Sequence, residues 1–578
     1  MKKVIGIGHQ NFEQLLQDNC FYIDKTNFIK EWWENKDMVT LITRPRRFGK
    51  TLNMSMTEVF FSVDYNGRGE LFQGLNIWKH EHYRALQGTY PVLFLSFASV
   101  KETNYSSARR KICQLIGDEY VRHIFLLEKG DLTAQEKASF LRKTIDMDDV
   151  DAALALHQLS LYLYRYYGKK VIILLDEYDT PMQEAYVYGY WEKLAEFTRG
   201  FFNATFKTNP CLEKAIMTGI TRIGKESIFS DLNNLTVVTT TSVQYADSFG
   251  FTEREVFAAL DEYDMSAQKD DVKKWYDGFT FGKETDIYNP WSVINYLKTG
   301  KIASYWANTS SNSLVGRLVQ EGSRDLKITM ECLLEGNTFR THIDEQIIFS
   351  QLENDEKAIW SLFLASGYLK AEEHIWDDKA EEDMYILSLT NREVRTMFRR
   401  IIRDWFAKTA SAYNDFIKAL LLDDIDAMNT YMNKVALATF SCFDTGRNPS
   451  DQAEPERFYH GFVLGLMVDL SDRYMIVSNR ESGFGRYDIM LEPKMPPGVL
   501  NSDANKGGHG KDFPDKAIII EFKVFNPRKE KTLKDTLQTA LKQIDAQQYE
   551  ASLLAKGIPA ERIRKYGFAF QGKTVLIG

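Results

Sequence analysis

The sequence predicts an α/β protein of several domains, with a mostly parallel sheet covered by helices on both faces. Short apolar runs at residues 38–42, 91–97, 171–175 and 215–220 have the length and composition of strands buried on both sides. Helical patterns separate these runs, which is the order expected for a three-layer α/β/α arrangement. At 578 residues the chain is too long for one hydrophobic core, so we expect roughly three or four domains.

Composition favours a globular protein of the cytoplasm. The hydrophobic share of 44% and the charged share of 26% are ordinary for such proteins. Neither a signal peptide nor an apolar run long enough to span a membrane is present, so we expect no membrane contact. The five cysteines are widely spaced and form no C-x-x-C pair, which indicates a reducing compartment. A net charge of −8 argues against a generally basic nucleic-acid surface.

The first candidate site follows the predicted strand at 38–42. The residues there are Arg44, Pro45, Arg46, Arg47, Phe48, Gly49, Lys50 and Thr51. This is the position of a P-loop, where backbone N–H groups and a helix N-terminus hold phosphates, a lysine reaches the terminal phosphates and a hydroxyl ligates Mg²⁺. Arg44, however, stands where the P-loop pattern has its first glycine. On this loop alone, a chance Gly-Lys-Thr in a strand-to-helix turn remains an alternative.

A second motif lies 126 residues after Lys50, where the apolar run 171–175 leads directly into Asp176 and Glu177. Ligands of α/β sheets bind at the carboxyl ends of the strands. In a P-loop enzyme Asp176 would hold Mg²⁺, and Glu177 would orient or deprotonate the water that attacks the γ-phosphate. The two motifs together, in this order, predict an ATP site more strongly than either motif alone.

A further strand is predicted at 215–222, which contains Thr218 and ends in Thr221 and Arg222. If this strand ends beside the γ-phosphate, Thr218 or Thr221 would sense it, and Arg222 would stabilise charge in the transition state. The alternative for each residue is a solvated strand end.

Four ranges describe the predicted domain organisation: a nucleotide-binding core at 1–225, a lid at 226–300, a mostly helical linking domain at 301–445 and a C-terminal α/β domain at 446–578. The aromatic, turn-rich passage at 275–291 is interpreted as the core of the lid. A polar stretch with glycine and two prolines at 445–455 marks the last boundary.

The C-terminal range contains a second chemical constellation. Glu456 lies on a predicted helix, Asp488 on a strand, and Glu521 and Lys523 share one face of a further strand. Asp488 and Glu521 would ligate Mg²⁺, while Lys523 would position water or steady the charge of a phosphodiester under attack. Gln543, on the helix that follows, would point back to this site. The alternative is a surface ion pair between Glu521 and Lys523 on an edge strand.

Taken together, these residues resemble a bacterial family that joins an AAA-like P-loop ATPase domain to a C-terminal domain of the PD-(D/E)XK nuclease superfamily. The shared motifs are residues 22–26, 44–51, 175–179, 275–279 and 459–462. In that family the arginine-rich P-loop is the rule. The resemblance implies ATP and Mg²⁺ at Lys50, Thr51 and Asp176, water orientation by Glu177, a nuclease core of Asp488, Glu521 and Lys523, and Glu456 as an auxiliary acid.

The leading hypothesis is therefore an ATPase whose nucleotide state controls a metal-dependent nuclease acting on DNA or RNA. A different class is an ATP-dependent switch or scaffold that keeps the nuclease fold only for binding. A third hypothesis is a P-loop that binds ATP with negligible turnover. The sequence is compatible with a homo-oligomer, but it identifies neither the nucleic-acid substrate nor whether an arginine acts in cis or in trans.

Overall fold

The structure is a computed structural model, and it describes residues 2–222, 228–229, 232–307, 313–321, 324–344, 352, 355–377, 382–407, 410–439, 463, 467, 470, 473–478, 481–482, 485–486, 488–494 and 515–578. Two compact units are present: Met1–Leu318 with Cys332–Met397, and Val319–Glu331 with Phe398–Gly578. Among the helices in these ranges, none combines the length and apolar composition needed to cross a lipid bilayer.

The first unit begins with a five-stranded sheet and its flanking helices. Its elements are α1 (Phe12–Gln17), α2 (Asn27–Glu34), β1 (Val39–Thr43), α3 (Lys50–Phe61), α4 (Glu81–Arg84), β2 (Val92–Ser96), α5 (Tyr105–Arg122), α6 (Leu126–Lys129), α7 (Ala134–Leu141), α8 (Asp149–Tyr167), β3 (Val171–Asp176), α9 (Thr180–Val187), α10 (Trp191–Phe202), β4 (Leu212–Gly219) and β5 (Leu235–Val238).

The strand order in this sheet is β2-β3-β4-β1-β5, and every neighbouring pair is parallel. All residues of β1 and β3 are buried, as expected for strands covered by helices on both faces. The predicted parallel α/β core is therefore confirmed. Strand β4 separates β1 from β3 and ends at Gly219, so Thr221 and Arg222 lie on the loop beyond the strand rather than within it.

The same unit continues with a small antiparallel sheet and three helices. The elements are β6 (Phe251–Thr252), α11 (Glu253–Glu262), α12 (Lys269–Tyr276), β7 (Phe279–Phe281), β8 (Glu284–Tyr288) and α13 (Pro290–Thr299), with the strands in the order β6-β8-β7. Two N-cap side chains define the helix starts: Thr252 forms a capping box with Glu255, and Asn289 accepts from the N–H of Ser292 ahead of Pro290.

The middle of the chain contains helices and an additional sheet. Its elements are α14 (Ser313–Glu321), α15 (Arg324–Glu335), β9 (Phe339–His342), α16 (Glu356–Ala365), β10 (Leu369–Asp377), β11 (Glu382–Leu389) and α17 (Arg392–Ala407). The three strands form an antiparallel sheet in the order β10-β11-β9. This sheet was not predicted, because its strands carry charged residues in place of a long apolar run.

The second unit is organised around another five-stranded sheet. Its elements are α18 (Ala410–Leu422), α19 (Ile425–Thr439), β12 (Tyr474–Ser478), β13 (Glu481–Ser482), β14 (Gly485–Arg486), β15 (Ile489–Pro493), β16 (Ala517–Val524), α20 (Leu533–Ala546), α21 (Ala551–Ala555), β17 (Ile563–Gln571) and β18 (Thr574–Ile577). The order is β12-β15-β16-β17-β18, with β16 and β17 parallel and the other neighbours antiparallel.

Alternate residues of β16 belong to two different cores. Ile518, Ile520 and Phe522 are buried in the core that includes residues of α18 and α19. Ala517 and Ile519 are buried with Ile544 of α20 on the other face. This period of two places Glu521 on the α20 side. The four domain ranges drawn from the sequence stay predictions.

Candidate functional site

The loop between β1 and α3 contains two residues in the left-handed backbone conformation. Gly49 is the N-cap residue of α3 and has a φ of 82°, a left-handed conformation that favours glycine. Arg47 also has a positive φ, of 67°. The first turn of a helix exposes N–H groups and the positive end of the helix dipole, so the loop residues before Lys50 face a favourable site for an anion.

Lys50 is buried at this end of the sheet, with 5% of its surface exposed. Its ammonium donates to the carbonyl oxygens of Arg44 and Pro45, both at 2.9 Å. Burial lowers the pKa of Lys50, while the carboxylates of Glu177 and Asp176 oppose that shift.

Asp176 is the last residue of β3, and each of its two carboxylate oxygens accepts a hydrogen bond from a threonine hydroxyl. Thr51 donates its hydroxyl to Oδ2 at 2.7 Å, across 125 residues of chain, and Thr218 of β4 donates to Oδ1. Burial raises the pKa of the Asp176 carboxyl, and the two hydroxyl donors partly offset the rise. The structure thus brings together the hydroxyl and the carboxylate that the sequence assigned to a metal.

Glu177 follows with a φ of 51°, so the chain turns sharply after β3. Its Oε2 accepts from the Thr180 hydroxyl at 3.0 Å. The half-buried carboxylate faces the same cavity as Lys50 and Thr51. This position is compatible with the orientation of a water molecule.

The cavity has a volume of about 380 Å³, within the usual range for small-molecule sites. Residues 46–53 form one wall. Two other walls were not predicted: Gly6, Gly8 and His9 near the N-terminus, and Trp291 with Ile294 of α13. Trp291 was predicted to belong to the core of the lid. Apolar residues at helical spacing do not reveal which of them faces a cavity.

Arg44 does not face this cavity. Its side chain is fully buried, and its guanidinium donates to the carbonyl oxygens of Thr43 at 2.9 Å and Thr239 at 2.6 Å, and to those of Gln244 and Tyr245 at 3.3 and 3.4 Å. The guanidinium also lies 4.6 Å from the ring centroid of Phe281. Burial lowers its pKa to about 9. Arg44 therefore connects the start of the loop to the segment after β5 through hydrogen bonds.

Some of the other predicted loop residues are buried against neighbouring side chains, and some line the cavity. Phe48 is buried against the ring of Phe279, with 4.7 Å between centroids, and Pro45 is buried. Arg46 and Arg47 line the cavity. Arg222 is half-buried on the loop after β4 and does not belong to the described residues that line the cavity.

Asp179 explains why the loop after β4 stays close to β3. Its buried Oδ2 accepts from the N–H groups of Ile220 and Thr221, at 2.9 and 3.0 Å, and from the Thr221 hydroxyl at 3.1 Å. Thr221 is thus engaged in holding the loop, whereas Thr218 contacts Asp176.

The motif at 275–279 has a structural explanation. The carboxylates of Glu253, Asp277 and Asp286 surround the ammonium of Lys273, which occupies the place of a metal ion in this acidic group. Gly278 has a φ of 108°, and a Cβ there would lie 2.1 Å from the Thr390 carbonyl oxygen, so only glycine fits.

The donor set around Thr51 and Asp176 fits a magnesium-bound nucleotide. Mg²⁺ prefers oxygen ligands, and a hydroxyl and a carboxylate lie 2.7 Å apart at the N-terminus of α3. At Gly49 a Cβ would meet no heavy atom within 4 Å, so the loop is open on this side. Lys50 lies beside them with its ammonium turned toward the loop.

The second constellation also converges. Asp488 immediately precedes β15, and its Oδ2 accepts from the N–H of Phe522 on β16 at 2.8 Å. The Lys523 ammonium donates to Oε1 of Glu521 at 3.3 Å. Strand β16 is interior to the sheet, and Glu521 is 1% exposed. A surface ion pair on an edge strand is therefore not what the structure contains.

Gln543 of α20 completes this group. Its Nε2 donates to the same Glu521 oxygen and to the Tyr549 hydroxyl at 3.0 Å. Gln543 was predicted at this site, but Tyr549 was not. Tyr549 follows α20, and only the tertiary structure brings its hydroxyl to Gln543. Two carboxylates with a neighbouring lysine fit a hard divalent cation. Glu456 lies outside the described residues.

Comparison with known proteins identifies the families that two regions of the chain resemble. A family model described as "Predicted AAA-ATPase" matches residues 6–229, and a model of the PD-(D/E)XK nuclease superfamily matches residues 454–578. A protein of Azotobacter chroococcum mcd 1, named "Uncharacterized protein in vnfD 5'region", is 25% identical over 327 residues. That alignment covers 55% of this chain and 57% of the relative, little more than half of each. The chain thus joins an N-terminal domain of the AAA-ATPase-like family to a C-terminal domain of the PD-(D/E)XK nuclease superfamily.

Proposed function

We propose that the N-terminal domain binds and hydrolyses ATP with Mg²⁺. The observation that carries this proposal is the 2.7 Å contact between the Thr51 hydroxyl and the Asp176 carboxylate, beside the buried Lys50. The hydroxyl and the carboxylate lie 125 residues apart in the chain. They meet at the N-terminus of α3, where Lys50 and Thr51 line the cavity.

Each residue then has a defined role. Lys50 exchanges its two carbonyl partners for phosphate oxygens, and the N–H groups at the start of α3 bind the same phosphates. Thr51 and Asp176 would hold Mg²⁺, and the hydrogen bond from Thr218 would fix the orientation of the Asp176 carboxylate. Glu177 orients the attacking water and accepts its proton. When bound, Mg²⁺ supplies positive charge that offsets the charge on the phosphates.

Nucleotide binding and phosphate release on the same samples test this assignment. We expect Lys50→Ala to lose binding of a fluorescent ATP analogue, and Glu177→Gln to keep binding while phosphate release falls at least tenfold. Lys207→Ala, at an exposed lysine of the same unit, is the matched control. Binding by the wild type without phosphate release would favour the hypothesis of a P-loop with negligible turnover.

We also propose that the C-terminal domain cleaves phosphodiester bonds in DNA or RNA with a divalent metal. The supporting observation is the buried Glu521, which contacts both Lys523 and Gln543, with Asp488 fixed beside it by the backbone of β16. Asp488 and Glu521 would hold the metal, and Lys523 would position water and steady the negative charge of the transition state.

Mg²⁺- and Mn²⁺-dependent cleavage of DNA and RNA substrates tests this half. We expect Glu521→Gln and Lys523→Ala to abolish cleavage, while Glu561→Gln, at an exposed glutamate of the same domain, retains it. No cleavage of any substrate by the wild type would support the alternative, an ATP-dependent switch or scaffold with a catalytically inactive nuclease fold.

The two activities are proposed to be coupled, so that the nucleotide state controls cleavage. In that case ATP changes the cleavage rate of the wild type but not that of Lys50→Ala, whose basal rate is retained. The proposed location is the cytoplasm, because four cysteines of the described residues are free thiols.

A further inference from the structure

The three arginines of the P-loop have different surroundings. Arg44 is buried among carbonyl oxygens, as described above, and cannot reach a ligand. Arg47 is exposed, and its guanidinium lies 4.2 Å from the ring centroid of Trp291. Arg46 is half-buried and lines the cavity with its guanidinium directed to α9. Arg46 and Arg47 therefore both line the cavity, but Arg46 is directed to α9 and Arg47 to Trp291 of α13.

The backbone of Arg46 is held in place from outside the loop. Its carbonyl oxygen accepts from Trp306 Nε1 at 3.0 Å and from Asn289 Nδ2 at 3.4 Å. Both donors belong to well-packed positions, since Trp306 is 1% exposed and Asn289 is fully buried. The backbone of Arg46 is thus held by two hydrogen bonds from side chains of the protein, and neither bond requires a bound ligand.

The side chain of Arg46 is guided by a chain of hydrogen bonds. Its Nη2 donates to Gln183 Oε1 at 3.3 Å, and Gln183 Nε2 donates to Asp179 Oδ2 at 3.0 Å. Asp179 is itself fixed by the N–H groups of the loop after β4. Gln183 therefore connects the guanidinium to Asp179, which follows the end of β3 in the chain.

We propose that Arg46 is the catalytic arginine of ATP hydrolysis and acts in cis, with Gln183 as its positioning residue. This inference rests on the proposed ATPase function and extends it. The water oxygen forms a bond to the γ-phosphorus, and the bond from that phosphorus to the β,γ-bridging oxygen breaks, with its electron pair leaving on ADP. One water proton passes to Glu177. Arg46 donates to a γ-phosphoryl oxygen as negative charge redistributes, which is the usual role of such an arginine.

The placement favours Arg46 over Arg222 for this role. Arg222 lies on the loop beyond β4 and is not part of the described cavity lining. Arg46 lines the cavity together with Lys50 and Glu177 of the same chain, and Gln183 of α9 accepts a hydrogen bond from its guanidinium.

Arg46→Ala and Arg46→Lys test the catalytic role, with Lys207→Ala as the control. We expect phosphate release by Arg46→Ala to fall about 10³-fold, in line with the contribution of catalytic arginines elsewhere, with ADP affinity within about threefold of the wild type. A readout independent of turnover is the trapping of ADP with aluminium fluoride, which mimics the transition state. We expect the wild type to retain this complex through gel filtration and Arg46→Ala to lose it. Added guanidinium should partly restore hydrolysis to Arg46→Ala but not to Lys50→Ala.

A double-mutant cycle tests the positioning role of Gln183. Gln183→Met keeps the length of the side chain but removes its acceptor, and we expect a loss of about tenfold in phosphate release. If Gln183 acts through Arg46, the double variant is no slower than Arg46→Ala alone. Independent, multiplied losses would overturn this part of the inference.

Mixing Arg46→Ala with Lys50→Ala distinguishes action in cis from action in trans. We expect no recovery of hydrolysis, since each chain lacks a group that only its own site can use; recovery would overturn action in cis. Full activity or lost ADP binding in Arg46→Ala, with an active wild type, would overturn the catalytic role alone. An inactive wild type would overturn the ATPase proposal and the role of Arg46 together.

Discussion

The buried carboxyl of Glu393 gives a prediction about the pH dependence of stability. Glu393 lies in the first turn of α17 and is fully buried. Its Oε1 accepts from the N–H groups of Trp306 and Ala307 at 2.6 and 3.3 Å, and its Oε2 accepts from the Ser292 hydroxyl at 2.8 Å. Burial raises its pKa to about 7, and these hydrogen bonds offset the rise only in part.

The size of the effect follows from the difference between the folded and unfolded pKa values. A rise from 4.5 to about 7 corresponds to about 3 kcal/mol, at about 1.4 kcal/mol for each tenfold change in proton affinity. The folded chain binds the proton more tightly than the unfolded chain. The stabilisation is therefore complete below about pH 4.5 and is lost as the pH rises through about 7.

Glu393→Gln is the perturbation that isolates this carboxyl. The amide oxygen can accept from the two backbone N–H groups, and the amide nitrogen can donate to the hydroxyl of Ser292. We expect Glu393→Gln to be more stable than the wild type at pH 8 by about 3 kcal/mol, and to lose the part of the pH dependence between 5 and 7 that Glu393 causes.

Urea unfolding followed by tryptophan fluorescence at pH 5 and pH 8 measures both quantities. Glu373→Gln, at an exposed glutamate of β10, is the control and should behave as the wild type. The reasoning is refuted if Glu393→Gln and the wild type show the same change in unfolding free energy between the two pH values, or if the variant is the less stable of the two at pH 8.

Three further predictions follow from single contacts. Arg44→Met removes the guanidinium that serves four carbonyl oxygens and should lower the free energy of unfolding by about 3 kcal/mol; a loss within about 0.5 kcal/mol in urea titrations would contradict the structural role of Arg44. Gly49→Ala and Gly168→Ala both place a Cβ at positive φ without a clash, so each should lower the free energy of unfolding by about 1 kcal/mol. Only Gly49→Ala should weaken ATP binding. Equal ATP affinities of the two variants would show that the loop backbone at Gly49 does not matter for the nucleotide. Gln543→Leu should weaken Mn²⁺ binding about tenfold or more in calorimetry, with Gln538→Leu, at an exposed position of α20, unchanged.

Much of the proposed nucleotide site could be predicted because its signals are local. A buried strand is indicated by a short run of mostly apolar residues, and the residue types after it are those that phosphate chemistry requires. This is why the strands at 39–43 and 171–176 and the partners Lys50, Thr51 and Asp176 were expected. The same reasoning located Glu521 and Lys523, since the period of two along a strand places both on one face.

Other features were beyond local reasoning because they depend on side chains that meet across the fold. Arg44 looked like a cation available to phosphate, yet the segment after β5 supplies carbonyl oxygens that bury it. Trp291 looked like core, yet it lines the cavity. Nothing in the sequence pairs Gln183 with Arg46, because the two lie 137 residues apart.

The sequence by itself determined which residue types follow each buried strand, and so the kind of chemistry available at both ends of the chain. The tertiary structure alone decided which charged side chains reach that chemistry. Three arginines in one short loop are equivalent in sequence, but burial, an aromatic ring and a glutamine on another helix assign each of them a different environment. The reason is that a guanidinium is satisfied by whatever acceptors or rings lie within a few ångströms, and the fold sets those neighbours.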